Sequence, residues 1–455
     1  MTTDPIVIVG GGVSGLATAY YLARADIQSL LIEKSSRLGG LIRTDSWEGC
    51  TLEAGPDSYL AAKPAVTELA SELGGPGTEL VGSNDQQRRV FIVRSGNLVA
   101  LPKGMSMMVP GRWRPALESE LFSLSTKLQF VRECARRPRQ RQADISVGEL
   151  VSEHFGQELL DYVADPLLAG VYGGDAAQLS AASVLPRFME YEERFGSLIR
   201  GVRRAKSAPP ASSMFLSFRD GMQSLTDGLA SAITGRTQVL HEEVISVSRN
   251  GKAWSVRTGS QTIAADAVVM ACPTHTSARL IERAAPELAT QLEGIPYSSA
   301  ILVTLVYDER LTKKPLDGAG LLIPKRERRT VAAATWINAK FPVRVAKGLV
   351  AVRAFIVGAE AIQLGRASNS ELIDLVVDDL TRFVGFEGAP RFSKVDRWPH
   401  SMPQYVVGHR ARQQRIAGEL AGLERLHLVG NAFDGVGVPD CVRLAKNAAA
   451  ALTPD

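Results

Sequence analysis

Gly10, Gly12 and Gly15 stand at the spacing G-x-G-x-x-G in the stretch IVIVGGGVSGLATAYYLARADIQSLLIEK, and Glu33 stands near its end. Residues of these types at this spacing can hold a pyrophosphate. Gly10 permits a tight turn, Gly12 lets the backbone approach phosphate oxygens, and Gly15 lets a helix pack closely on the preceding strand. Gly11, Val13 and Ser14 complete the turn, whose N–H groups would face the phosphates with a positive helix-dipole end behind them. Glu33 follows at about the distance, roughly 20 residues, where an acid accepts hydrogen bonds from ribose hydroxyls. The elements that must position these groups are a strand at 6–9, a helix at 13–24 and a second strand at 29–32. A glycine triplet alone is weak, and an ordinary βαβ unit with a glycine-rich turn is the bland alternative. The complete series of strand, turn, helix, strand and acid carries the dinucleotide reading.

Directly after the acid comes KSSRLGGLIRT, with Lys34, Arg37, Gly40, Leu41 and Arg43. A second glycine pair and two arginines exceed what a nicotinamide dinucleotide needs. They suit a longer, extended cofactor clamped from a second side. Farther on, TQVLHEEVISVSRNGKAWSVRTGSQTIAADAVVMACP alternates at strand period with an Asn250-Gly251 turn and ends in a buried strand at 267–271. LHLVGNAFDGVGVPDCVRLAKNAAAAL predicts a strand at 426–429, a glycine turn and a helix beginning near Pro439. Such a helix start can aim free N–H groups at an anion; a second ordinary strand-to-helix turn is the alternative.

The totals bound the rest. A length of 455 residues implies two or three domains, and a hydrophobic fraction of 45% supplies ample core. A net charge of +4 gives no argument for nucleic acid. Cys50, Cys134, Cys272 and Cys441 are far apart and match no metal-ligand or CxxC spacing, which reads as reduced thiols in a cytoplasmic protein without a metal centre. The apolar run at 6–23 approaches membrane-span length, but its three glycines and the preceding Asp4 fit a strand–turn–helix better. In LESELFSLSTKLQFVRECARRPRQRQ, Leu117, Leu121, Leu124, Leu128 and Val131 mark one apolar helix stripe, followed by Arg136, Arg137, Arg139 and Arg141. This is either an amphipathic helix with a solvated basic end or one lying on an anionic bilayer, with MSMMVPGRW as an apolar tip and Trp113 at the interface. The six histidines are scattered, no nucleophile–base pair emerges, and no catalytic side chain is assigned.

The block from Ile6 to Arg43 resembles the FAD-binding start of the monoamine oxidase-like flavoproteins. GPDSY, FIVRSGNLVALP, DPLLAGVYGGDAAQLS, RWPHSMPQYVVGH and GVGVPDCV resemble, in order, segments of the oxygen-dependent protoporphyrinogen oxidases and their coproporphyrinogen-oxidising relatives. The resemblance implies an α/β plus α+β chain: a discontinuous Rossmann-like FAD-binding domain (1–80, 206–285, 396–455), a mixed-sheet substrate domain (81–97, 286–395) and a helical insertion (98–205) able to associate with a membrane. It implies non-covalent FAD, with Gly55, Pro56, Asp57 and Ser58 near the flavin ring, Val244 at the adenine, and Trp398, Gly430, Val436, Gly437 and Val438 completing the site.

For the substrate it implies Arg94 on a propionate, Ala169 and Gly170 in a wall beside the macrocycle, Leu321 as an apolar wall and Phe355 stacked on a pyrrole. Thr335 stands where the family has a leucine. The implied reaction, in haem biosynthesis, takes protoporphyrinogen IX to protoporphyrin IX in three two-electron steps, with O2 as acceptor and H2O2 as product. Coproporphyrinogen III is the close alternative substrate. Another flavin amine oxidase or desaturase, or a non-catalytic flavin- or porphyrin-binding protein, is the more distant alternative. A homodimer, peripheral contact with the inner face of the membrane and no nucleic-acid partner complete the expectation.

Overall fold

Short runs of β-branched and leucine residues become central strands here because both of their faces are covered. In the computed structural model, which describes residues 4–75, 77–205, 213–251, 253–313 and 317–453, strands Ile6–Val9, Ser29–Ile32 and Ala267–Met270 are buried at every position. They lie in a five-stranded parallel sheet in the order Thr237–Leu240, Ser29–Ile32, Ile6–Val9, Ala267–Met270, Leu426–Leu428. Three distant stretches of chain therefore build one sheet, and the discontinuity read from the sequence is present. Helices Val13–Arg24, Gln223–Ala232 and Val438–Leu452 cover one face. A three-stranded antiparallel sheet and helices Thr274–Ile281 and Pro286–Glu293 cover the other. The Asn250-Gly251 turn does join two strands, Val244–Asn250 and Ala253–Thr258.

A seven-stranded sheet forms the second layer, in the order Phe392–Pro403, Tyr297–Asp308, Leu349–Val357, Ala333–Trp336, Gly320–Leu322, Val90–Arg94, Asn97–Ala100. All its pairs are antiparallel except that of Gly320–Leu322 with Val90–Arg94. Helix Asn369–Val384 packs its apolar stripe on one face. The helical unit, which includes Val147–Phe155 and Asp165–Tyr172, packs on the other.

Three expectations change. Strand Phe392–Pro403 runs through the 395/396 boundary and Asn97–Ala100 through 97/98, so the sheet holds residues assigned by sequence to its neighbours. Helix Pro286–Glu293, on the substrate side of the 285/286 boundary, packs with the cofactor sheet. Residue 206, where the second cofactor segment starts by sequence, lies outside the described residues. The apolar stripe is not one helix face: the chain breaks at 119–123 between helices Trp113–Glu118 and Leu124–Glu133, and Ser123 caps the second. Leu121 falls in the break and is buried, whereas Leu124, Leu128 and Val131 stay exposed at i, i+4, i+7. Trp113 is no free tip; it packs on the helical core beneath the Arg203 guanidinium. No described helix is long and apolar enough to cross a membrane.

Candidate active site

The glycine turn has three distinct steric situations. At Gly10 φ is +110°, and a Cβ would press on the Ala271 carbonyl oxygen at 2.9 Å. A Cβ on Gly15 would collide with the Gly10 carbonyl, so helix and strand touch through bare backbone. At Gly12 a Cβ would meet nothing within 4 Å. That open face lies at the N-cap of helix Val13–Arg24, where no side chain caps the free N–H groups. Glu33 accepts from the Gly11 N–H at 2.7 Å and from the Ser35 N–H and hydroxyl, each at 2.9 Å. Beside it, the Leu240 carbonyl accepts the Glu33 N–H at 2.9 Å and His241 bonds the Ser35 carbonyl at 2.7 Å, which brings the start of strand Val244–Asn250 next to Glu33. Val244 itself is buried.

The second loop lies along the first, with the Gly39 N–H donating to the Gly11 carbonyl at 2.8 Å. Arg37 staples this loop internally, donating to Leu38, Ile42 and Gly40 carbonyls. Burial, then the charge of Arg43, pulls its pKa down. Arg43 leaves the loop altogether, pairing with Asp396 and lying 5.9 Å from the Trp398 ring centre. Lys34 and Leu41 are exposed.

Between the two sheets the turn holding Gly55, Pro56, Asp57 and Ser58 is pinned from every side. Trp398 donates its indole N–H to the Ala54 carbonyl at 2.7 Å. Lys340 reaches both Asp57 oxygens, at 2.8 and 3.0 Å, and the Ser58 hydroxyl at 3.0 Å. Arg353 pairs with Asp57 at 3.0 Å and donates to the Gly55 carbonyl. Burial alone would raise the Asp57 pKa, but Lys340 and Arg353 outweigh it and hold the carboxyl far below the usual range. Asp57 is therefore a fixed anion.

The C-terminal strand–turn–helix closes the same region. Gly430, at φ +138°, has nothing within 4 Å of a Cβ. The Tyr405 hydroxyl donates to the Asn431 carbonyl at 2.9 Å and accepts the Gly435 N–H at 3.0 Å, shaping the turn. Asp440 accepts the Gly437 N–H at 3.2 Å and the Lys63 ammonium at 2.6 Å, so Val436, Gly437 and Val438 enter the helix in a fixed path. Both open glycines lie just past the carboxyl ends of parallel strands, the usual position of ligands in such sheets. A cradle at Gly12 with uncapped N–H groups, and a second opening at Gly430, fit an extended dinucleotide.

On the facing sheet, side chains alternate. Phe355 packs with Ala169 and Ala332, and Gly170 would meet Leu322 at 3.5 Å and Ala333 at 3.9 Å if it carried a Cβ. Thr335 is cross-strand from Arg353, and Ala333 from Phe355, so both lie on this same face. The structure thus brings Ala169, Gly170, Thr335 and Phe355 together. Leu321 is corrected: it is buried in the core beneath helix Asn369–Val384, on the opposite face, and Leu322 takes the inward position.

Arg94 meets an internal carboxylate, Glu158, at 2.7 Å; it also donates to the Leu121 carbonyl and lies 4.5 Å from the Tyr162 ring centre. The glycine pair after Tyr172 serves the protein itself. Gly173, at φ +60°, ends helix Asp165–Tyr172 and would clash with Ser298 and Met402, while Gly174 would clash with Gln404. The sequence reading did not find Lys340, Arg353, Tyr405 or Leu322. One signal was present: Arg353 is the sole charge in the otherwise apolar strand LVAVRAFIV.

The family model for flavin-containing amine oxidoreductases matches residues 13–453. A coproporphyrinogen III oxidase of Staphylococcus aureus is 30% identical, over 98% of this chain and 98% of that protein. The mitochondrial protoporphyrinogen oxidase of Nicotiana tabacum is 27% identical, over 98% and 94%. A crystal structure from Exiguobacterium sp. 255-15, provisionally named a protoporphyrinogen oxidase, superposes with a TM-score of 0.89 at 31% identity, covering 100% of this chain and 99% of that one. The chain therefore belongs to the flavin-containing amine oxidoreductase family.

Proposed function

We propose that this enzyme oxidises a porphyrinogen to a porphyrin in haem biosynthesis, using non-covalent FAD and O2. The observation that carries the reading is the apolar group of Phe355, Leu322, Ala169 and Gly170 beside a flavin cradle. Such a group suits a flat macrocycle. FAD, when bound, supplies the two-electron acceptor chemistry that no side chain here provides. The protein's part is to position and to exclude water. Gly10 to Gly15, Glu33 and the loop through Arg43 hold the dinucleotide, Val244 lies by the adenine, and Gly55 to Ser58, Trp398 and the turn from Gly430 to Val438 frame the ring. Phe355 and Thr335 face the substrate.

The substrate is protoporphyrinogen IX or coproporphyrinogen III. Relatives named for the two substrates are similarly identical to this chain, at 30% for the coproporphyrinogen III oxidase and 27% and 31% for the two named as protoporphyrinogen oxidases. The exposed row Leu124, Leu128 and Val131, with Lys127 and Arg132 on the same helix, supports peripheral membrane contact. The geometry supports Arg94 as a tie between sheet and helical unit ahead of a propionate contact. The test is direct: purified protein, loaded with FAD, is given each porphyrinogen under air and porphyrin fluorescence is followed. One substrate should show the higher kcat/KM. A protein that stays colourless after reconstitution, or that oxidises neither substrate, overturns the proposal.

A further inference from the structure

Behind the Gly55–Ser58 turn lies a cluster of five charges, of which Glu53, Arg344 and Arg353 are buried and Asp57 and Lys340 half-buried. Arg353 is 3% exposed and Arg344 1%, and each keeps a buried Nε with no hydrogen-bond partner. Arg344 pairs with Glu53 at 3.1 Å and donates to the Asp57 carbonyl at 3.2 Å. Arg353 and Lys340 share the Asp57 carboxylate at 3.0 and 2.8 Å. Three cations, Lys340, Arg344 and Arg353, thus face two anions, Glu53 and Asp57, which leaves one positive charge in surplus. An uncompensated buried cation is costly unless it acts on a partner that arrives later. Arg353 also reaches both halves of the site: it donates to the Gly55 carbonyl, and its guanidinium carbon lies 5.2 Å from the Phe355 ring centre.

We propose that Arg353 is a positioning residue whose surplus charge, held through Asp57 and Gly55, favours negative charge on the ring resting against this turn. The inference rests on the proposed placement of the flavin against Gly55 to Ser58. It assigns to the protein a share in setting how readily the bound ring accepts a pair of electrons, since a cation held in a partly dry site acts strongly on a nearby anion.

Sulfite, which bleaches a flavin by adding to the ring and leaving it negatively charged, tests this without turnover. In the FAD-loaded protein, Arg353→Met should weaken sulfite binding roughly tenfold or more and lower the reduction potential of the flavin. Arg353→Lys, which keeps the charge, should restore most of the sulfite affinity. Asp57→Asn, which removes an anion, should tighten it and serves where the methionine variant does not fold. A yellow wild type whose Arg353→Met variant binds sulfite equally well overturns this inference alone. A wild type that never turns yellow overturns the functional reading as well.

Discussion

Alternation along the strands of the seven-stranded sheet separates its two faces at the level of single residues. Phe355 lies on the sheet face that meets Ala169 and the helical unit, and Leu321 faces the core under helix Asn369–Val384. Phe355→Ala should therefore raise KM for the porphyrinogen by roughly tenfold, the scale of a lost aromatic contact, while flavin content stays normal. Leu321→Ala should do the reverse, costing about 2–5 kcal/mol of stability with KM little changed; thermal melts and steady-state kinetics on the pair distinguish them. A KM that rises equally in both would place Leu321 back in the pocket.

Single helices depend on buried charge pairs that no periodicity announces. His154 lies between Glu133 at 2.9 Å and Glu192 at 3.1 Å, and all three are almost fully buried. Glu133 also accepts the Ser197 hydroxyl and the Leu198 N–H, each at 2.6 Å. His154→Leu removes the ring that bridges two buried carboxyl groups and should destabilise the helical unit by about 3–5 kcal/mol, measured by denaturant unfolding; a loss below about 1 kcal/mol would contradict this. Glu158 makes a second such knot. Burial pushes its pKa up, but hydrogen bonds from Thr126, Arg94 and Ser123 prevail and hold it down to about 2, against an ordinary 4.5. A depressed folded-state pKa gives stability that is complete above about pH 4.5 and is lost as pH falls towards 2. Circular dichroism against pH should show that decline, and Glu158→Gln should flatten it at the cost of lower stability at neutral pH. An unchanged acid limb in Glu158→Gln would remove Glu158 from the account.

At the scale of the whole molecule, one short segment ties three parts together. The Ser180 N–H donates to the Tyr405 carbonyl at 2.7 Å, Gln404 donates to the Tyr172 carbonyl at 2.8 Å, and the Tyr405 hydroxyl fixes the turn at Asn431 and Gly435. Stretch 165–180 therefore meets the C-terminal strand–turn–helix through residues 404–405. Tyr405→Phe removes two hydrogen bonds of about 0.5–1.5 kcal/mol each from that turn. It should weaken FAD binding by roughly tenfold in a titration of the apoprotein and also lower the melting temperature of the apoprotein modestly. Equal FAD affinity would show that the turn keeps its shape without the hydroxyl.

The sequence by itself determined the cofactor half of this protein. Glycine spacing, the acid at Glu33 and the strand–turn–helix signals at both ends are local, because a phosphate-binding turn is built within a few residues of backbone. The sequence also indicated that the two ends belong to one domain, and their strands share one sheet. Tertiary structure decided what depends on partners distant in the chain. Arg94 and Glu158 are 64 residues apart, and Arg353 and Gly55 are 298 apart. Which face of strand Gly320–Leu322 meets the ligand follows from register, where a slip of one residue exchanges Leu321 and Leu322. The apolar stripe failed as a single helix for the same reason: Leu121 is claimed by the core of other helices, and its neighbours are left to face outward.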